Sequence, residues 1–400
     1  MTMTNEDIRN LGEQHVMNTY GRTDFALVRG RGTRVWDADG NEYLDMLAGI
    51  AVNVLGHCPP EVTDALCDQA NTLMHTSNLY WTEPQVLLAR ELCQGSGLDK
   101  VFFCNSGAEA NEGAIKLARK YGADHYGPER HVVVTMEKSF HGRTLATLKA
   151  TGQPKFHEDF GPHAEGFRYV PLNDWEALLE AVDDAVCAVM IEPVQGEGGV
   201  FPVDRAFLQK LEALCRERDI LLILDEVQCG FGRSGHLFAF QNYGVTPDVM
   251  TLAKGLGGGV PIGAFLASDR AAASLGPGKH GSTFGGNPLV CAAALAVMTR
   301  LNAPGFLESV NDKSAYFKEG LEALAAKHPV ILEIRGLGLM IGVKLSVPGA
   351  GLVKEAASRG LLINCTDTDT LRFLPPLTVS PEEIDEAIAI LDGLLSGLNP

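Results

Sequence analysis

The fold depends on two segments, Leu221-Leu222-Ile223-Leu224-Asp225-Glu226-Val227-Gln228 and Val249-Met250-Thr251-Leu252-Ala253-Lys254. Each begins with a short apolar run and then reaches a polar residue that can do chemistry. Such runs, bounded by turn residues, predict strands that are covered on both faces, as in parallel sheets. Ligands of open α/β sheets bind at the carboxyl ends of such strands. We therefore expect Asp225 and Lys254 to face one crevice.

Similar runs extend this pattern along the chain. Predicted strands lie at 101–104, 132–136 and 186–191, and predicted helices at 61–74, 83–94, 107–121 and 205–217. Alternating strands and helices are typical of a mostly parallel sheet with helices on its faces. The interval between Asp225 and Lys254 leaves room for one helix that connects two parallel strands.

The two ends of the chain differ from its middle. A helix predicted at 5–18 precedes short apolar runs around the turn signal Asp39-Gly40-Asn41, which indicates a small β-meander. Toward the C-terminus, short strands alternate with helices, and Ser380-Pro381-Glu382-Glu383 is a capping box that starts a helix. We predict an α/β protein with an N-terminal segment at 1–55 that joins the small domain, a large domain at 56–300, and a small α+β domain at 301–400.

The composition narrows the class of protein. The chain has 400 residues, 46% of them hydrophobic, and a net charge of −17. This acidity disfavours a nucleic-acid partner or an anionic membrane surface, since both require a basic face. Nine cysteines without a CxxC pair favour a reducing compartment over disulfides or a structural metal site. Without a secretory signal or an apolar run of about 20 residues, we expect a cytoplasmic protein that neither spans a membrane nor binds a metal.

Lys254 and Asp225 are the first candidates for catalysis. A desolvated lysine at a strand end has a lowered pKa and can form a Schiff base, although most lysines only lie on the surface. A carboxylate at the bottom of a crevice can keep a cofactor's ring nitrogen protonated. Asp225 could equally be a turn or cap residue.

Asn105-Ser106-Gly107-Ala108-Glu109 follows a predicted strand and opens a predicted helix. Ser106 and Glu109 have the spacing of a capping box, which would account for this motif by itself. The free N–H groups and the dipole of the helix also favour a bound phosphate, and Gly107 would let the backbone approach it. The sequence leaves both interpretations open.

Three further strand-end segments hold candidate binding residues. Phe140-His141-Gly142-Arg143 could combine a ring-stacking platform with a carboxylate clamp, although a loop phenylalanine and histidine more often only pack. Glu192 and Glu197 share another predicted loop. Arg372 alternates with apolar residues and is either an outward-facing strand residue or a second clamp.

Together these motifs closely resemble the class III (ω-amino) subgroup of the aminotransferases that depend on pyridoxal 5′-phosphate (PLP). The resemblance covers nearly the whole chain. It rests on Asn105-Ser106-Gly107-Ala108-Glu109-Ala110-Asn111-Glu112, Phe140-His141-Gly142-Arg143-Thr144, Glu192-Pro193-Val194-Gln195-Gly196-Glu197-Gly198-Gly199, Asp225-Glu226-Val227-Gln228-Cys229-Gly230, and Lys254 before its glycines. It implies fold type I of the PLP-dependent transferases, with a large domain around a mostly parallel sheet and a smaller α+β domain.

The resemblance also implies a role for each motif residue. Lys254 is expected to bind PLP covalently, with Asp225 at its ring nitrogen. The other expected cofactor-binding residues are Ser106, Gly107, Ala108, Phe140, His141, Glu192, Val227, Gln228 and, across a dimer interface, Thr283. The expected substrate-binding residues are Tyr20, Arg143, Ser282, and the pair Glu197 and Arg372, which would open when the second substrate binds.

Within this subgroup, the chain is most similar to enzymes of arginine biosynthesis that act on N-acetylornithine and 2-oxoglutarate. The resemblance also implies a homodimer with shared active sites. Ile50 stands where ornithine aminotransferases of the eukaryotic type carry a tyrosine, which disfavours free ornithine as the donor. Succinylornithine, N-succinyl-diaminopimelate, ornithine and 4-aminobutyrate remain alternative donors. An aminomutase and a non-catalytic PLP-binding protein are the alternatives of a different class.

Overall fold

The structure of this chain is a computed structural model that describes residues 3–398. Its strands are β1 (Leu27–Arg31), β2 (Arg34–Asp37), β3 (Glu42–Asp45), β4 (Lys100–Cys104), β5 (Val132–Met136), β6 (Phe167–Val170), β7 (Val186–Ile191), β8 (Val194–Gln195), β9 (Phe201–Pro202), β10 (Leu221–Asp225), β11 (Val249–Leu252), β12 (Gly263–Ala267), β13 (Ile331–Leu337), β14 (Met340–Leu345), β15 (Leu361–Leu362), β16 (Asn364–Thr366) and β17 (Thr370–Phe373). Its α-helices are α1 (Asn5–His15), α2 (Ala48–Ala51), α3 (Pro60–Thr72), α4 (Glu83–Ser96), α5 (Gly107–Tyr126), α6 (Leu145–Ala150), α7 (Trp175–Ala181), α8 (Arg205–Arg218), α9 (Asp269–Ala272), α10 (Pro288–Leu301), α11 (Phe306–Lys327), α12 (Ala350–Ser358) and α13 (Pro381–Leu395).

A seven-stranded sheet in the order β4-β12-β11-β10-β7-β5-β6 forms the centre of the molecule. The prediction of a mostly parallel sheet is confirmed, because only β12 runs antiparallel to its neighbours. Strands β10 and β11 are parallel neighbours, with Ile223 opposite Val249. Asp225 and Lys254 therefore leave the sheet at the same edge, as predicted.

The connection between β10 and β11 differs from the prediction, because it contains no α-helix. Its only helical segment is a 3-10 turn at Ala239–Asn242. Gly232 and Gly235 have φ values of 84° and 86°, which a continuing right-handed helix cannot accommodate. The buried rings of Phe231 and Phe238 cover the sheet instead, with centroids 6.3 Å apart.

The core lies on both faces of the central sheet, and alternate residues of β10 show this. Leu221 and Ile223 pack toward Ala114 and Leu117 of α5. Leu222 and Leu224 belong to the larger cluster on the other face, which includes residues of α8. Such double burial explains why this strand is an uninterrupted apolar run. Within residues 3–398, no single helix is long and apolar enough to cross a membrane; one pair, Pro288–Leu301 with Phe306–Lys327, passes only when its two helices are taken together across a 71° bend.

The two ends of the chain meet in a second sheet. The predicted β-meander forms as β1-β2-β3, and β15 adds to it in parallel, with Leu361 opposite Leu44. A third sheet, in the order β13-β14-β17-β16, is antiparallel and carries Arg372 on β17. The domain boundaries at residues 55 and 300 stay a prediction.

A left-handed turn lies next to the segment that carries Lys254. The four residues Ala48–Ala51 all have φ values between 51° and 64°, a conformation that strains any residue except glycine. Asp45 accepts the N–H groups of Leu47 and Ala48, each at 2.9 Å, and its other oxygen lies 2.7 Å from Nε2 of His57. This network fixes the turn, and Val52 after it reaches the candidate site.

Candidate active site

A cavity of about 460 Å³ lies at the carboxyl ends of β4, β10 and β11. The predicted site residues that line it are Ser106, Gly107, Ala108, Phe140, His141, Arg143, Glu192, Glu197, Asp225, Val227, Gln228 and Lys254. Sequence reasoning did not assign the lining residues Val52 and Asn111 or the stretch 259–262 to the site. The cavity is thus formed by strand ends, the start of a helix and four loops.

Asp225, the last residue of β10, is buried and held from three directions. Its Oδ2 accepts a hydrogen bond from Nδ2 of Asn111 at 2.8 Å and lies 2.7 Å from Nδ1 of His141. Its Oδ1 accepts the N–H of Val227 at 3.0 Å. Asn111 also donates to the carbonyl of His141 at 2.7 Å. His141 therefore orients Asp225, a contact that its loop position could not predict.

Glu192 places a second buried carboxyl group beside Asp225. Burial raises the pKa of Glu192 well above its ordinary value, and the neighbouring charge of Asp225 raises it further. Glu192 Oε2 accepts the N–H of Phe140 at 3.1 Å. Glu192 thus fixes the loop that carries Phe140, and its raised pKa favours the protonated carboxyl group next to Asp225.

Lys254 begins a 3-10 turn at Lys254–Leu256 and has a φ of 45°. Burial lowers the pKa of its amine, and Arg372 lowers it further, whereas Glu197 opposes the shift. The lowered pKa increases the fraction of the neutral amine, which is the nucleophilic form.

The start of α5 reconciles the two interpretations of its sequence. Ser106 Oγ accepts the N–H of Glu109 at 3.2 Å, but the Glu109 carboxylate binds the N–H of Asn105 instead of that of Ser106. Within residues 3–398, no acceptor takes the N–H groups of Gly107 and Ala108. These donors face the cavity at the positive end of a 20-residue helix, where an anion is favoured.

Arg143 is an exposed cation at the wall of the cavity. Its guanidinium carbon lies 3.9 Å from the ring centroid of Phe156 and 5.6 Å from that of Phe140. No acidic residue in the described part of the chain pairs with it. Arg143 is therefore available to a substrate carboxylate. The role of Phe156 was not predicted.

Arg372 is fully buried and joins the cavity through Glu197 and Gln228. Its Nη1 donates to Glu197 Oε1 at 2.6 Å and to Gln228 Oε1 at 3.0 Å. Gln228 Nε2 donates to the same Glu197 oxygen at 3.1 Å. Arg372 and its neighbours lower the pKa of Glu197 against the opposing effect of burial. The charge of Arg372 is thus neutralised by one half-buried carboxylate.

Besides Arg372, three predicted site residues do not line this cavity. Tyr20 is an exposed residue near the N-terminus. Ser282 and Thr283 line a separate space of about 330 Å³ on the other side of Asn105. Ser282 Oγ accepts hydrogen bonds from Asn105 Nδ2 at 3.3 Å and from the N–H of Gly285 at 2.9 Å. One chain alone does not bring these residues to Lys254.

Comparisons with known proteins agree with the geometry of the cavity. The family model "Aminotransferase class-III" matches residues 16–395. The acetylornithine aminotransferases of Caldanaerobacter subterraneus subsp. tengcongensis and Methanocaldococcus jannaschii are 56% and 53% identical to the chain, over 96% and 98% of it and 98% of each relative. A structure of the ornithine aminotransferase from Toxoplasma gondii, with PLP at partial occupancy in its active site, has a TM-score of 0.93 at 35% identity and covers 98% of this chain and 94% of that one. The chain has fold type I and belongs to the class-III, PLP-dependent aminotransferases.

Proposed function

We propose that this chain transfers the side-chain amino group of N-acetylornithine to 2-oxoglutarate, as the relatives' names indicate for them. The observation that supports the proposal is that Arg143 and Arg372, the two arginines around Lys254, differ in their pairing. Arg143 has no acidic partner among residues 3–398, whereas Arg372 is neutralised by Glu197. A site that binds a monocarboxylate donor and then a dicarboxylate acceptor needs one arginine that is always available to a carboxylate. It also needs a second arginine that becomes available only when the acceptor binds.

The residues present fit PLP. The unpaired N–H groups of Gly107 and Ala108 suit its phosphate, and the buried Asp225 suits its ring nitrogen. Phe140 and Val227 supply apolar surface for the two faces of the ring. When bound, PLP accepts the electrons that are left on the donor carbon after its proton is removed.

The donor is oriented by charge. Arg143 binds the α-carboxylate of N-acetylornithine, so the side-chain amine points toward Lys254. Glu197 keeps Arg372 from offering a competing site for the same carboxylate, which would reverse the donor. The acetyl group removes the positive charge that the α-amine of free ornithine would bring beside Arg143.

Lys254 then moves the proton. Its lowered pKa increases the fraction of neutral amine, which can accept the proton from the carbon that bears the reacting amino group. The resulting ammonium can donate the proton back as general acid. Lys254 can serve both directions because it is buried at the bottom of the cavity, next to the reacting carbon.

The acceptor uses the second clamp. When Glu197 turns away, Arg372 presents its guanidinium to a carboxylate of 2-oxoglutarate, and Gln228 keeps its own contact with Arg372. The extra negative charge of the acceptor, compared with the donor, makes opening the pair favourable only for the acceptor.

We also propose that the active unit is a homodimer. Phe284, which lines the same space as Thr283, is 61% exposed, and Trp81 is 89% exposed, so a single chain leaves large aromatic side chains uncovered. Large exposed apolar surface of this kind is typical of an interface. A partner subunit would bring its Thr283 to the phosphate donors of Gly107 and Ala108.

A donor panel tests the substrate. Single-turnover rates are measured by stopped-flow absorbance with N-acetylornithine, N-succinylornithine, N-succinyl-diaminopimelate, ornithine and 4-aminobutyrate, and Lys254→Ala is the inactive control. We expect N-acetylornithine to react fastest. A faster reaction with another donor would overturn this substrate and keep the aminotransferase class. Isomerisation of a substrate without any keto acid would indicate an aminomutase instead.

A further inference from the structure

Arg372 can bind a carboxylate through two hydrogen bonds only if its guanidinium plane stays fixed after Glu197 has turned away. Arginine binds carboxylates best through two N–H groups in one plane. Glu197 uses only one oxygen and one nitrogen, Nη1, of Arg372. The buried Nη2 has no partner among residues 3–398. Departure of Glu197 would therefore leave Nη1 and Nη2 side by side for the acceptor.

Asn364 contacts the opposite edge of the Arg372 guanidinium and can keep this contact when Glu197 turns away. Its Oδ1 accepts a hydrogen bond from Nε of Arg372 at 3.2 Å. The two residues lie directly opposite each other on the paired strands β16 and β17. This cross-strand placement anchors Nε independently of Glu197 and Gln228, both of which come from other loops.

Asn364 also has room for substitution. It is half-buried, and its other side lines a second cavity of about 530 Å³ between the N-terminal segment and α12. Strand β16 is an edge strand, so a changed side chain there disturbs few neighbours. A variant at this position can therefore report on Arg372 without loss of the fold.

We propose that Asn364 is a positioning residue that fixes the plane of the Arg372 guanidinium for the acceptor's carboxylate, and thereby sets acceptor affinity separately from donor reactivity. This inference rests on the proposed function, because it assigns Arg372 to the acceptor. Asn364 itself touches neither substrate.

The experiment measures binding without chemistry. Holoenzyme is converted to its amine form with excess donor and freed of donor, and glutarate, a dicarboxylate without a keto group, is titrated by calorimetry. Asn364→Ala should raise the Kd of glutarate about tenfold, since a hydrogen bond to a charged group is lost. Asn364→Asp should raise it further, because a fixed carboxylate neutralises Arg372. Asn302→Asp makes the same change at an exposed position after α10 and should leave the Kd unchanged.

Stopped-flow rates of the two half-reactions complete the test. We expect slower reaction with low concentrations of 2-oxoglutarate and a donor half-reaction within about twofold of wild type, since the affected bond is remote from Lys254. An unchanged glutarate Kd in both Asn364 variants, or an equal loss in both half-reactions, overturns the inference. If wild-type enzyme binds no glutarate and does not react with N-acetylornithine, the proposed function fails instead.

Discussion

Lys254 shows how the charges around one residue decide its reactivity. Burial and Arg372 disfavour the ammonium form, whereas Glu197, Asp225 and Glu192 favour it. Burial is the largest of these effects, so the net result is a lowered pKa. The reactivity of Lys254 therefore depends on groups from two strands, β10 and β17, and from the segment that follows β7.

The first prediction concerns the titration of Lys254 in the apoprotein. Its acetylation rate, followed by peptide mass spectrometry across pH, should have a midpoint below the ordinary value of 10.5. Glu197→Gln should lower the midpoint further, because Glu197 is the strongest favourable charge. Free Nα-acetyl-lysine is the control, and a midpoint equal to its own would contradict the enclosure of Lys254. Because the unfolded chain keeps this proton to higher pH, the stability of the apoprotein should rise with pH over the same interval.

Single residues were predicted only as far as their local sequence signals allowed. Strand ends were sufficient to place Asp225 and Lys254 in one crevice. The hydrogen bonds from Asn111 and His141 to Asp225 join residues far apart in the chain, so no local pattern contained them. One signal was available, since Asn111 is a polar residue among the buried alanines of α5.

At the level of elements, the proposed phosphate site at the start of α5 depends on Gly107 having no side chain. A Cβ atom there would lie 2.7 Å from Cγ1 of Val227. Gly107→Ala should displace Val227 and raise the Kd of PLP about tenfold, within the usual cost of overpacking. Equilibrium dialysis measures this, with Gly351→Ala as a control at a helix position where no atom lies within 4 Å. Equal affinities of both variants would contradict the close approach.

Arg233 links the connection after β10 to the C-terminal part of the chain. It is fully buried, and Nη1 donates to the carbonyls of Leu339 at 3.1 Å and Pro375 at 2.5 Å. Arg233→Met leaves both carbonyls unpaired and should lower the Tm by about 3 °C. Scanning calorimetry checks this, with the exposed Arg216→Met as control. Burial lowers the pKa of Arg233 to about 9, which shows that burying its charge costs free energy. An unchanged Tm would mean that this cost equals the free energy that its hydrogen bonds contribute.

Elements with strong periodicity were predictable, and those set by their neighbours were not. A helix was predicted to start at the capping box Ser380-Pro381-Glu382-Glu383, and the structure has α13 at Pro381–Leu395 with that box formed. Strand β12 was missed because Gly263-Ala264-Phe265-Leu266-Ala267 has no β-branched residue; its pairing with β11 and β4 makes it a strand. The helix expected between β10 and β11 was excluded by glycines that the loop needs.

For the whole molecule, the proposed dimer predicts complementation between inactive subunits. Lys254→Ala removes the reactive amine, and Thr283→Glu should repel the phosphate held by the partner subunit. A purified heterodimer of the two variants contains one intact site and should regain about half of the wild-type activity, because a two-fold symmetric dimer has two equivalent sites.

A control heterodimer separates complementation from simple stabilisation of one variant subunit by the other. Arg143 lines the same chain's cavity as Lys254, so a heterodimer of Lys254→Ala and Arg143→Ala contains no intact site and should stay inactive. Recovery in both pairs, or in neither, would exclude the shared site. The position of Thr283 could not be judged from the local sequence, since it concerns the surface of a second molecule.

The single contact between Glu197 and Arg372 has a consequence for timing. A carboxylate held through one oxygen is released by rotation of its own side chain, which is a smaller movement than a domain motion of microseconds to milliseconds. The exchange between donor and acceptor modes is then far faster than a typical catalytic cycle of about 0.1 s. Alternation between the two substrates should therefore leave no lag in the progress curve, even when solvent viscosity slows larger motions.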